Sequence, residues 1–167
     1  MTLPIVTIHD NNPVLRQRAR EVEDFSDPSF QKLIDDMVPI MYEKDGIGLA
    51  APQVNQSIRL IVTTPDPHNY EYFRQAKHEA IILINPVIIQ HSLFKENGDE
   101  GCLSVPNLFG SVKRWKSVTI TYCDRNGLKK KIKASGLQAR VFQHEIDHID
   151  GILFIDKAEK VCKVPQI

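Results

Sequence analysis

Apolar residues recur at helical spacing between Phe30 and Met41, where Phe30, Leu33, Ile34, Met37, Val38 and Met41 share one face. Ser26-Asp27-Pro28 stands just ahead of that run and supplies a cap and a first-turn proline. The pattern predicts a helix opening there, which Pro39 should kink or shorten because it lacks a backbone donor. Asn12-Pro13 predicts a shorter helix reaching about Val22. The period then changes. Ile58–Thr64, Ala80–Ile89, Ser117–Cys123 and Lys129–Ala134 are β-branched or alternating, and turn residues bound them, so they predict strands. Asp124-Arg125-Asn126-Gly127 predicts a hairpin turn between the last two. Helical spacing returns after Gly136 and stops near Gly151. Strands in the middle with helices at both ends indicate an α+β fold rather than a wound parallel sheet.

Composition narrows the class. A chain of 167 residues, 42% apolar, suits one domain over 1–167 that buries a core without disulfides. Its 21 basic and 21 acidic side chains cancel, which argues against a nucleic-acid or anionic-membrane partner, since both need a field of one sign. Lys113-Arg114-Trp115-Lys116 and Lys129–Lys131 are accordingly expected to be solvated strand faces. The apolar stretch Ala80–Ile84 breaks at Asn85-Pro86, well short of the ~18 residues of a membrane span. Met1-Thr2-Leu3-Pro4-Ile5 has none of the regions of a secretory leader. Three cysteines cannot all pair within one chain, so a reducing compartment, the cytoplasm, is expected.

The strongest chemical signal is His144-Glu145-Ile146-Asp147-His148, an HExxH sequence on the last predicted helix. Side chains four apart stand on one face, so both imidazoles can reach one metal ion. Leu137 and Val141 extend the same stripe and place the histidines on its buried face. Glu145 lies about 100° round the helix, near enough to reach a water on the ion without being a ligand. A third ligand is not found downstream. Gly151 fits the extended HExxHxxGxxH pattern, but Phe154 occupies the third histidine's place, and Glu159 comes too early for a peptidase glutamate. Upstream, Cys102 in Glu100-Gly101-Cys102-Leu103-Ser104 follows a glycine that lets backbone approach a small target. A Cys-His-His set leaves a fourth position open, as a catalytic ion requires. Cys123 and Cys162 are expected to be small buried apolar residues.

Gly46-Ile47-Gly48-Leu49-Ala50-Ala51 satisfies GxGxxA, and Asp66 lies at the offset of a dinucleotide-binding acid. A helix rather than a strand precedes these glycines, and the residues before the next strand leave no room for a crossover helix. The surviving reading is a tight segment whose exposed backbone can pair with an extended ligand, with Gln53 as a polar tip.

Three stretches in order, Gly46-Ile47-Gly48-Leu49-Ala50-Ala51-Pro52-Gln53, Glu100-Gly101-Cys102-Leu103-Ser104 and Gln143-His144-Glu145-Ile146-Asp147-His148, closely resemble the motifs of the peptide deformylases. The similarity runs from Asn12-Pro13-Val14-Leu15 to about Asp156. It implies mostly antiparallel strands around a central HExxH helix, with helices on the N-terminal side. It also implies removal of the formyl group from N-formylmethionyl nascent peptides, releasing formate. The ion it implies is Fe²⁺, replaceable by Zn²⁺, Ni²⁺ or Co²⁺, on Cys102, His144 and His148. Glu145 would be the general acid/base working with a hydroxide on the ion, and the Gln53 amide and Leu103 N–H would hold the oxyanion. Ile47 and Gly48, with Gly46 and Gly101, would line the substrate backbone, and Glu100 and Arg114 would pair behind the cysteine loop. A monomer is expected. Transient ribosome contact is left open, since the segment after the motif is short for the docking helix of some bacterial relatives.

Two features depart from that pattern. Arg140 stands one turn before His144, where some relatives carry an apolar residue, and should either snorkel outward or reshape the pocket wall. Asp66–Glu79 is an unusual loop whose tip, Asn69-Tyr70-Glu71-Tyr72-Phe73, could cover the site or pack on the sheet. A metallopeptidase for internal bonds and a metal-stabilised binding module are the competing classes. The first lacks its downstream ligand, the second a fourth ligand.

Overall fold

The computed structural model describes residues 3–76 and 79–163. Met1 and Thr2 of the N-terminal segment, Lys77 and His78 of the Asp66–Glu79 stretch, and the last four residues of the short tail lie outside them. Helix α1, Pro28–Glu43, begins where the Asp27 side chain accepts the Ser29 N–H. It runs through Pro39 without being shortened, because Phe30, Ile34, Met37 and Met41 bury one continuous face on either side of the lost hydrogen bond. The expected helix from Asn12 to Val22 is only a 3-10 turn, Pro13–Arg16. Beyond it the backbone is used otherwise. Ala19 N–H donates to the Ile149 carbonyl, Arg20 N–H to Ser57, and Arg59 N–H to Arg20, which holds this stretch extended.

Five antiparallel strands form the first sheet in the order β1-β2-β3-β6-β7, namely Gly48–Ala50, Leu60–Thr63, Ile81–His91, Ser117–Cys123 and Lys129–Ser135. β3 carries an irregularity at Asn85-Pro86, where a proline is tolerated. Asn85, with φ 51°, turns its amide to both backbone groups of Val22. The turn at Asp124–Gly127 is as expected, closed by Gly127 N–H on the Asp124 carbonyl. A second sheet, β4-β5-β8, comprises Lys95–Cys102, Val105–Trp115 and Ala158–Lys163. Its strands were not expected, since the only buried side chain of β4 is Glu100 and no apolar alternation marks that strand.

The HExxH helix, α3 (Gly136–Ile149), packs Ala139, Phe142, Ile146 and Ile149 against Ile61, Leu83, Val118 and Ile120 of the first sheet. Its other side meets the second sheet, so antiparallel strands surround it. Asp66–Glu79 is not a plain loop. It forms a 3-10 turn, Pro67–Asn69, and a short helix α2, Tyr70–Ala76, whose Tyr70 and Phe73 pack on the α1 core. Of its described residues none lines the central cleft. Lys129, Lys130, Lys131 and Lys133 are exposed along the edge strand β7, as expected of a solvated face, but Arg114 is buried. Cys123 and Cys162 are half-buried rather than buried. Among the described residues no helix is long and apolar enough to cross a membrane.

Candidate metal centre

Leu137, Val141, His144 and Glu145 of α3 form one wall of a cleft of about 480 Å³. The opposite walls come from the open edges of both sheets, Gly46, Ile47 and Gly48 at β1, and Gly101, Cys102 and Leu103 at the end of β4. Gln53 lines it from the 3-10 turn after β1. All the candidate residues but His148 therefore line one cleft, and His148 stands buried just behind it.

The donor atoms of Cys102, His144 and His148 lie within 4.8 Å of one another. β4 is irregular between Gly101 and Cys102, which re-aims the sulfur toward α3. Cys102 Sγ is 3.1 Å from His148 Nε2. His144 turns Nδ1 to Glu100 Oε2 at 2.9 Å, so Nε2 is the ring nitrogen that could serve an ion. Gln53 Oε1 accepts the Ala50 N–H at 2.8 Å, so its amide nitrogen points to the Cys102 sulfur, 3.5 Å away.

The expected Glu100–Arg114 pair is present and fully buried, with Arg114 Nε and Nη2 donating to the two carboxylate oxygens at 2.9 Å. Arg114 also bonds Asp147, and Asp147 accepts from Lys157, partners that nothing in the linear sequence singled out. Burial alone would raise the Glu100 pKa, but the bonds from Arg114 and His144 outweigh it and hold it at about 2. Burial would lower His144, yet Cys102, Glu100 and the charge of Glu145 carry it up to about 10. His148 is pushed down by burial and by the charge on His144. One thiol and two imidazoles brought together form a donor set that suits a divalent transition ion.

Glu145 is 4% exposed, and burial lifts it to about 7, opposed by His144, helped by Glu100 and opposed by Arg114. Its Oε2 has no partner among the described residues. Just before β1, the Ile47 carbonyl accepts the Thr64 N–H. Strand alternation therefore turns the N–H and C=O of Gly48 away from β2, to the open edge. Gln143 donates to the Trp115 carbonyl and accepts its N–H, tying α3 to the end of β5. Arg140 does not snorkel outward. Its guanidinium turns in to Glu100 and to carbonyls of the β4–β5 hairpin.

An antiparallel α+β fold closed round an HExxH helix, with a thiol as third donor, defines a metal-dependent hydrolase. The family model "Polypeptide deformylase" matches residues 2–164. The chain belongs to that family, metal-dependent enzymes that remove the N-formyl group from nascent peptides. It is 43% identical over 157 residues to Peptide deformylase 2 of Nostoc sp., covering 94% of this chain and 86% of that one. The crystal structure of peptide deformylase from Thermotoga maritima superposes with a TM-score of 0.84 at 38% identity, over 96% of this chain and 99% of that one. The peptide deformylase of Synechococcus elongatus in complex with actinonin gives 0.83 at 37% identity, over 95% and 81% of the two chains.

Proposed function

We propose that Cys102, His144 and His148 hold a single Fe²⁺, which Zn²⁺, Ni²⁺ or Co²⁺ can replace, and that residues 1–167 act as one deformylase domain. The observation that carries this reading is the convergence of one thiol and two imidazoles beside a buried carboxylate, one of whose oxygens has no partner among the described residues. When bound, the ion supplies Lewis acidity that draws the pKa of a water toward ~7. Glu145 takes a proton from the attacking water and delivers one to the amine nitrogen as the formyl C–N bond breaks, leaving formate and a free N-terminus. The Gln53 amide, steadied by the Ala50 N–H, donates to the developing oxyanion together with the Leu103 N–H. The substrate peptide adds as a strand along Gly46, Ile47 and Gly48, with Gly101 across the cleft. The leading peptide-bond donor and acceptor on that edge belong to Gly48. The protein works as a monomer in the cytoplasm on N-formylmethionyl nascent peptides, with transient ribosome contact through that substrate.

Anaerobic iron loading followed by ion analysis and formate assay tests this reading. One Fe²⁺ per chain, lost in Cys102→Ala, and formate release blocked by actinonin are expected. Full loading of Cys102→Ala would remove the thiol from the ligand set.

A further inference from the structure

Resting on that metal reading, we infer that Arg140 is a positioning residue, which sets the distance between the strand carrying the thiol and the helix carrying the histidines by acting through Glu100. Arg140 stands on α3 one turn before His144 and is largely buried. Its Nη1 donates to Glu100 Oε1 at 2.9 Å, the Val112 carbonyl at 2.8 Å and the Gly98 carbonyl at 3.3 Å. Its Nη2 donates to the Glu96 carbonyl at 2.9 Å. One planar group therefore spans both strands of the hairpin whose end carries Cys102, and fastens them to α3. Lysine has no such fork and reaches only part of this set.

Glu100 links that clamp to a ligand. Oε1 is shared by Arg114 and Arg140, and Oε2 by Arg114 and His144 Nδ1. With guanidinium groups on both sides of Oε1, the carboxylate cannot swing, so the His144 ring is held with Nε2 aimed at the thiol. Removing Arg140 leaves Oε1 held by Arg114 alone, and the grip on the carboxylate that aims His144 loosens with it. The backbone opposite is shaped for the same group. A Cβ on Gly98 would lie 2.7 Å from Arg140 Cζ and 2.8 Å from Nη2, so the absence of a side chain there makes room for the guanidinium. A cation buried in the wall of a cleft is costly unless it is fully engaged. Here its engagement falls on the two elements that carry the ligands.

The test loads the whole chain with Co²⁺ or Zn²⁺ and follows release to a chelator and the visible Co²⁺ spectrum. Wild type, Arg140→Met, Arg140→Lys, Gly98→Ala and the Arg140→Met/Gly98→Ala double variant are compared, with thermal unfolding measured beside them. Arg140→Met and Gly98→Ala are expected to weaken the site about 10–100-fold, the range for lost partners of a ligand, with shifted Co²⁺ bands. Arg140→Lys should fall between, kcat should drop while KM for the formylated peptide holds, and the double variant should be no worse than the worse single. Folded variants with wild-type release and an unchanged spectrum would overturn the role of Arg140, even with a lower melting temperature. If Arg140→Met does not fold, Gly98→Ala and Arg140→Lys decide in the same way. Wild-type chain that takes up no ion would overturn the metal reading itself, and this role with it.

Discussion

A Cβ placed on Gly48 would stand 2.5 Å from Glu145 Oε1 and 2.9 Å from its Cγ. Strand β1 and helix α3 thus meet with bare backbone against a buried carboxylate, and the glycine of the first motif makes room for the glutamate of the third. Gly48→Ala is expected to displace that carboxylate while leaving Cys102, His144 and His148 in place. Misplacing a reacting group by about 1 Å typically lowers the rate ~10²-fold. Ion content should stay at the wild-type level as kcat falls by that order. Unchanged kcat would show that the glycine serves only packing.

Glu145→Gln keeps the shape and removes the proton acceptor. Its ion content should be retained and kcat should drop by about 10²–10⁴, the usual loss when general acid–base catalysis is removed. Burial holds Glu145 up at about 7, so above that pH its ionised form opposes folding in chelator-stripped protein. The stripped Glu145→Gln variant should therefore melt at or above the wild-type temperature at pH 8. Loss of the ion in this variant would instead make Glu145 a ligand.

Glu100 should dominate the acid limb of stability. Its carboxyl is held at about 2, against a usual 4.5, by Arg114 and His144 after burial has been overcome. A depressed carboxyl contributes stability in full above its unfolded value and loses it as pH falls through the folded one. That difference corresponds to about 3 kcal/mol at neutral pH, as an order of magnitude. Urea titrations of wild type and Glu100→Gln should differ by this order at pH 7 and converge between pH 4.5 and 2. A gap independent of pH would assign the loss to packing.

What was legible in the sequence followed local periodicity. Helices α1 and α3 repeat apolar residues at helical spacing over several turns, and α1 carries its own cap at Asp27. The candidate donors were legible because HExxH sets two of them on one face, while Phe154 and Glu159 offer no downstream third. β4 was not, since it is held by pairing with β5 and by a guanidinium from Arg114, neither of which leaves an apolar pattern. The same holds for Arg140, whose side chain had two directions open to it. Its inward course is decided by carbonyls of residues 96, 98 and 112, which lie 44, 42 and 28 positions away in the chain. The segment after Pro13 fails as a helix for a related reason. Ala19 and Arg20 find backbone partners at Ile149, Ser57 and Arg59, distant groups that outcompete local helical bonds.

One measurement bears on the whole reading. Chain loaded anaerobically with Fe²⁺ is given a formyl-Met peptide and, in parallel, the same peptide with a free N-terminus and an internal scissile bond. Formate should appear in step with new amino termini from the first, the second should remain intact, and Glu145→Gln carrying a full ion should do neither at a comparable rate. Cleavage of internal bonds without formate, or formate release undiminished in that variant, would show that the cleft and its carboxylate do other chemistry.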